Sequence, residues 1–168
     1  MFGAQDPDHV VTWSPELGMK VTKDGGITWA AGHGLDRFPE ADIFELAVSP
    51  ADSQVIWALG QTKVMFSVRL FRSVDGGITF DELDPATYGI ELHTGCRLAP
   101  HPSDPAVLYL FERQRLIRYN AAGVGGGNGA PPRKASETSV EGTVNSIAFA
   151  RWGTDLIYLG LDSRHVYH

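Results

Sequence analysis

"TKDGGITW", Thr22 to Trp29, returns further along the chain as "SVDGGITF", Ser73 to Phe80, with Asp-Gly-Gly-Ile-Thr unchanged. Both copies are turns. Paired glycines accept the positive φ that a tight hairpin needs and that side chains resist, which assigns that role to Gly25, Gly26, Gly76 and Gly77. Asp24 and Asp75 are short enough for their carboxylates to accept hydrogen bonds from amides of their own turn. The aromatic residues that follow, Trp29 and Phe80, are expected to pack against a neighbouring sheet.

Outward from the turns the repeat lengthens. "IFELAVSPADSQVIWALG" (Ile43 to Gly60) has a counterpart in "CRLAPHPSDPAVLYLFE" (Cys96 to Glu112), which aligns Pro50 with Pro102, Asp52 with Asp104 and Trp57 with Tyr109. "VNSIAFARWGTDLIYLGLD" (Val144 to Asp162) aligns Tyr158 with Trp57, and the opening "DPDHVVTW" reads as the tail of another copy. Each unit holds short runs rich in Val, Ile, Phe, Tyr and Trp, separated by Gly, Pro, Asp and Ser. That is a strand-and-turn signature, and no segment keeps a helical period over three turns. For the second unit the strands are expected near 43–48, 54–60, 66–73 and 78–83. Four antiparallel strands in about 50 residues is the pattern of one propeller blade.

Composition agrees with a folded domain and narrows its partners. The chain has 168 residues, 43% hydrophobic and 20% charged, with a formal charge of -6. The acidic balance argues against a nucleic-acid partner. No apolar run reaches the roughly 20 residues of a membrane span, and the first residues lack a signal peptide's basic start and apolar stretch. The single cysteine, Cys96, has no internal disulfide partner. No compartment is assigned from these features.

With these residues in view, the two turns resemble the Asp-box, Ser/Thr-x-Asp-x-Gly-x-Thr-Trp/Phe, of bacterial-neuraminidase-type repeat propellers. Thr22, Asp24, Gly26, Thr28 and Trp29 fill it in the first copy, and Ser73, Asp75, Gly77, Thr79 and Phe80 in the second. Families carrying the box include sialidases, xyloglucanases, a photosystem II assembly factor and sortilin-type receptors. The resemblance implies an all-β propeller of four-stranded blades. Two would be complete and two partial: a partial first blade over 1–31, a second over 42–83, a third over 93–140 with a Gly/Pro-rich insertion at 120–134, and a partial fourth over 143–168. On this reading the chain is a piece of a larger propeller, with the remainder or another chain covering its open edges.

Strand alternation assigns the loops to two ends of the blades. The end opposite the boxes gathers the candidate ligand-binding residues His33, Asp36, Arg37, Lys63, Glu91, His93, Glu112 and Arg113, a mixture suited to a polar protein or glycan partner. A glycosidase needs two carboxylates flanking the bond, for which Asp36, Glu40, Asp42, Glu91 and Glu112 are the candidates; "DRFPE" (Asp36 to Glu40) is a loose echo of the sialidase Arg-Ile-Pro segment. His93 and Cys96 have no complementary ligand pair, so no metal is expected. No phosphate-cradling or dinucleotide fingerprint is present, and no cofactor is expected. "HPSDP" (His101 to Pro105) reads as scaffold. The leading expectation is a noncatalytic, non-enzymatic segment offering a binding or scaffold surface; the alternative is part of a sialidase- or xyloglucanase-like glycoside hydrolase.

Overall fold

The computed structural model describes residues 2–3, 6–35, 41–62, 67–83, 90–122, 136–150 and 156–162. They form an all-β structure, with no α-helix among them. In chain order the strands are β1 (Phe2–Gly3), β2 (Asp6–Ser14), β3 (Gly18–Thr22), β4 (Ala30–Ala31), β5 (Ala41–Val48), β6 (Ile56–Thr62), β7 (Val68–Ser73), β8 (Asp81–Leu83), β9 (Arg97–Pro100), β10 (Val107–Glu112), β11 (Arg115–Asn120), β12 (Ser136–Ser139), β13 (Thr143–Phe149) and β14 (Ile157–Asp162). They pair as four antiparallel sheets, β1 to β4, β5 to β8, β9 to β12, and β13 with β14. The first unit, read from the sequence as partial, has four strands, the first of them short: Phe2 pairs with Val10.

Face-to-face stacking explains why the central strands are apolar without alternation. In β6, Ile56 and Ala58 join Val11, Met19, Val21 and Phe71 between the first and second sheets. Trp57 and Leu59, pointing the other way, join Leu70, Leu108, Leu110, Ile117 and Tyr119 between the second and third. A strand covered on both faces has no solvent side, so "IWALG" reads as one apolar run. Each fully buried Leu or Ile there contributes roughly 2 kcal/mol. Arg72 lies 5.1 Å from the Trp57 ring centre and donates to the carbonyl of Ala121 at 3.3 Å, fastening the second sheet to the third. His101, Tyr109 and Phe149 form the aromatic contact between the third and fourth. Among the described residues the series does not close on itself.

The shared turns before β6 and β10 follow one hydrogen-bond plan. Asp52 Oδ1 accepts from Gln54 N, and Asp104 Oδ1 from Ala106 N, both at 2.9 Å. His101 Nδ1 adds acceptance from the amides of Ser103 and Asp104, at 3.3 and 3.2 Å. "HPSDP" therefore shapes the backbone. The insertion expected at 120–134 lies outside the described residues from 123 onward.

Candidate functional site

At one end of the sheets are the repeated turns. Thr22 Oγ1 donates to Asp24 Oδ1 at 2.6 Å and accepts from Gly26 N at 2.9 Å. The other side of the Asp24 carboxylate takes the Thr28 hydroxyl at 2.5 Å, and Thr28 N donates to Oδ1 at 2.9 Å. Ser73, Asp75, Gly77 and Thr79 repeat the pattern with distances of 2.8, 2.8, 2.9 and 2.6 Å. All four turn glycines have positive φ, from 69° at Gly25 to 96° at Gly26. The hydrogen bonds from Thr22 and Thr28 hold the Asp24 carboxyl at about 2. Burial pushes Asp75 up, but Thr79 and Ser73 outweigh it and the net direction is down. Carboxylates held by these bonds shape a turn.

One expectation fails at these turns. Phe80 is buried between the first and second sheets, but Trp29 is 46% exposed. Its indole folds back over its own turn, with Nε1 donating to Gly26 O at 3.0 Å. The two copies diverge because residues 32–34 of the first unit run beside the second turn. There His33 N donates to Ile78 O at 2.7 Å and Phe80 N to His33 O at 2.9 Å.

The other end holds an ion cluster. β10 and β11 turn tightly from Glu112 to Arg115, with Arg113 at φ 46° on the tip. Glu112 is 6% exposed, and burial of a carboxylate requires partners. Its Oε1 meets His93 Nδ1 at 2.7 Å and Arg115 Nη1 at 2.5 Å. Arg115 also donates from Nε to Glu137 Oε1 at 2.9 Å, from Nη2 to Oε2 at 3.3 Å, and from Nη1 to the Glu91 carbonyl at 3.2 Å. One guanidinium thus joins two carboxylates and the loop that carries His93. Its bonds with Glu137, then with Glu112, raise Arg115 above its ordinary value despite desolvation, and the same pair lowers Glu137. Beside the cluster, Arg97 Nε donates to Glu45 Oε2 at 2.9 Å, joining the second and third sheets. Cys96 is buried nearby; desolvation and the Glu112 charge push its thiol up to about 12, so it stays protonated and unreactive at neutral pH.

Of the eight candidates read from sequence, the structure brings Glu91, His93 and Glu112 together and leaves Arg113 on the same turn, exposed. His33 is tied to the second repeated turn through its backbone. Asp36, Arg37 and Lys63 lie outside the described residues. Arg115 and Glu137 were not among the candidates. Arg115 carried a signal, standing three residues after a Glu across a tight turn; Glu137 carried none, because the insertion hides its register opposite Ile117. No group of three or more His, Cys, Asp or Glu side chains among the described residues is arranged to hold a metal.

No family model matches the chain. A curated protein of Streptomyces mobaraensis, the Dispase autolysis-inducing protein, is 32% identical over 148 residues, covering 84% of this chain. The chain spans 39% of that protein's length. Among solved structures, the GH74 xyloglucanase from Xanthomonas campestris matches 96% of this chain and 33% of its own, at 16% identity and a TM-score of 0.48. The expectation of a non-enzymatic segment is corrected here: the relative matched is named for inducing Dispase autolysis, and neither match assigns this chain an activity of its own.

Proposed function

We propose that this chain is a portion of an Asp-box repeat propeller whose Glu112 end engages a protein partner, a protease in particular. The blades would be those read from the sequence, over 1–31, 42–83, 93–140 and 143–168, with further sheets covering the open faces. The observation that carries the proposal is the 32% identity, over 84% of the chain, to a protein named for inducing autolysis of Dispase. The ion cluster supports the choice of surface. Interfaces favour Arg in ordered, partly desolvated networks, and Glu91, His93 and Arg113 are exposed around a fixed Glu112–Arg115–Glu137 core. Asp36, Arg37 and Lys63 are assigned to the same surface from their loops; His33, bridged to Thr79 at the opposite end of the sheets, is not part of it. The test is binding of immobilised chain to Dispase, together with the rate of Dispase self-cleavage. Saturable binding that weakens about tenfold or more in Arg113→Glu supports the reading; no binding at micromolar concentrations contradicts it.

A second reading, a segment of a glycoside hydrolase, is favoured by one specific feature. Two carboxylates share a guanidinium, and one of them is buried, the arrangement by which environment separates an acid from a base. Turnover of xyloglucan or aryl glycosides that is lost in Glu112→Gln and Glu137→Gln supports it. Absence of turnover in the longer protein removes it.

A further inference from the structure

We propose, resting on the partner-binding reading above, that Arg113 is the residue by which the Glu112 end selects its partner: a cation fixed at the tip of the β10–β11 hairpin and received by a carboxylate-lined cleft of the bound protein. Among the described residues every positive φ falls on glycine, at seven positions, except at Arg113, whose φ is 46°. A side chain is disfavoured there because its Cβ crowds the following carbonyl, and tight hairpins place Gly, Asn or Asp at such positions. The hairpin between β2 and β3 follows that rule, with Gly18 at φ 67°.

The tip is held from behind. Val144 N donates to the carbonyl of Arg113 at 2.6 Å and Val140 N to that of Gln114 at 2.9 Å, while Glu112 and Arg115 pair across the base of the turn. Backbone conflict of this kind persists where surrounding contacts over-determine it, and it concentrates at ligand clamps and active sites. The charges already in use decide what the tip offers. Glu112 binds His93 and Arg115, and Arg115 also binds Glu137. Arg113 is exposed and forms no ion pair among the described residues, although Glu141 stands on the turn between the two anchoring valines. On a chain of formal charge -6 the tip thus presents a rigidly held cation. A guanidinium meets a carboxylate in a planar, two-point contact, and an immobilised backbone lowers the entropy lost on docking.

The experiment measures binding of the immobilised wild-type, Arg113→Gly and Arg113→Lys chains to Dispase, together with the Tm of each. Arg113→Gly is expected to bind about tenfold or more weakly and to lose most of the sensitivity of binding to added salt. Its Tm is expected to rise by about 2 °C, because glycine relieves the left-handed backbone. Arg113→Lys keeps the charge and is expected within about fivefold of the wild type. Wild-type affinity in Arg113→Gly overturns the inference and leaves the partner-binding reading intact. A fall in Tm accompanying the lost affinity overturns it as well, by showing that the side chain serves the fold. Affinity as low in Arg113→Lys as in Arg113→Gly overturns the carboxylate-lined cleft. A wild-type chain that does not bind Dispase overturns the partner-binding reading and the inference with it.

Discussion

At the scale of single residues, the two carboxylate pins and the buried Glu112 make separate predictions. Asp75 collects the Thr79 amide, the Thr79 hydroxyl and the Ser73 hydroxyl. Asp75→Ala therefore lowers stability by about 2 kcal/mol, read by urea unfolding, while affinity for the protein partner is unchanged. Asp24, more open to solvent, gives a smaller fall in Tm. Both carboxyls lie below their ordinary range, so the sign of the pH effect is fixed. The stabilisation is complete above the unfolded aspartate value near 4 and disappears as pH falls toward about 2, the value for Asp24. An acid titration in which the Asp24→Asn variant loses as much as the wild type between those limits contradicts this. Arg115→Ala leaves the buried Glu112 carboxylate with the His93 ring but without its guanidinium and costs about 3 kcal/mol, whereas the Arg113 side chain on the tip is dispensable for stability. Equal stability of the two variants would show that Glu112 does not depend on its guanidinium.

At the scale of elements, strands were legible wherever both sheet faces are covered. "IWALG" and "VLYLF" announce themselves as β6 and β10 because they have no solvent side. The start of the last strand of the second unit was misjudged. Thr79 and Phe80 have the composition of a strand, but the Asp75 turn and the bridge to His33 hold them, and pairing with β7 begins only at Asp81. Equivalent aromatic residues also diverged: Phe80→Ala is expected to cost about 3 kcal/mol and Trp29→Ala well under 1, since one ring is packed between sheets and the other lies on its own turn. Comparable losses in chemical denaturation would mean that Trp29 packs like Phe80. The candidate site was legible in its loops and not in its pairing. "FERQR" and "HTGC" were found, but Glu137 enters from beyond the insertion, and register across an insertion is not a local property of the sequence.

At the scale of the whole molecule the two ends divide the work. The repeated turns and the Asp52 and Asp104 turns lie at one end, where Gly76 N donates to Gln54 O at 2.9 Å. The Glu112 turn and the His93 loop lie at the other, tied by Arg115 to Glu91 O. Identity in the first set preserves the scaffold, and the second set is the surface proposed to meet a partner. Hydrogen exchange of the chain with and without Dispase tests this division most directly. The account predicts slowed exchange across residues 91–97, 112–115 and 137–139, with residues 22–29 and 73–80 unchanged. Protection centred on the repeated turns, with the Glu112 end unaffected, would contradict it.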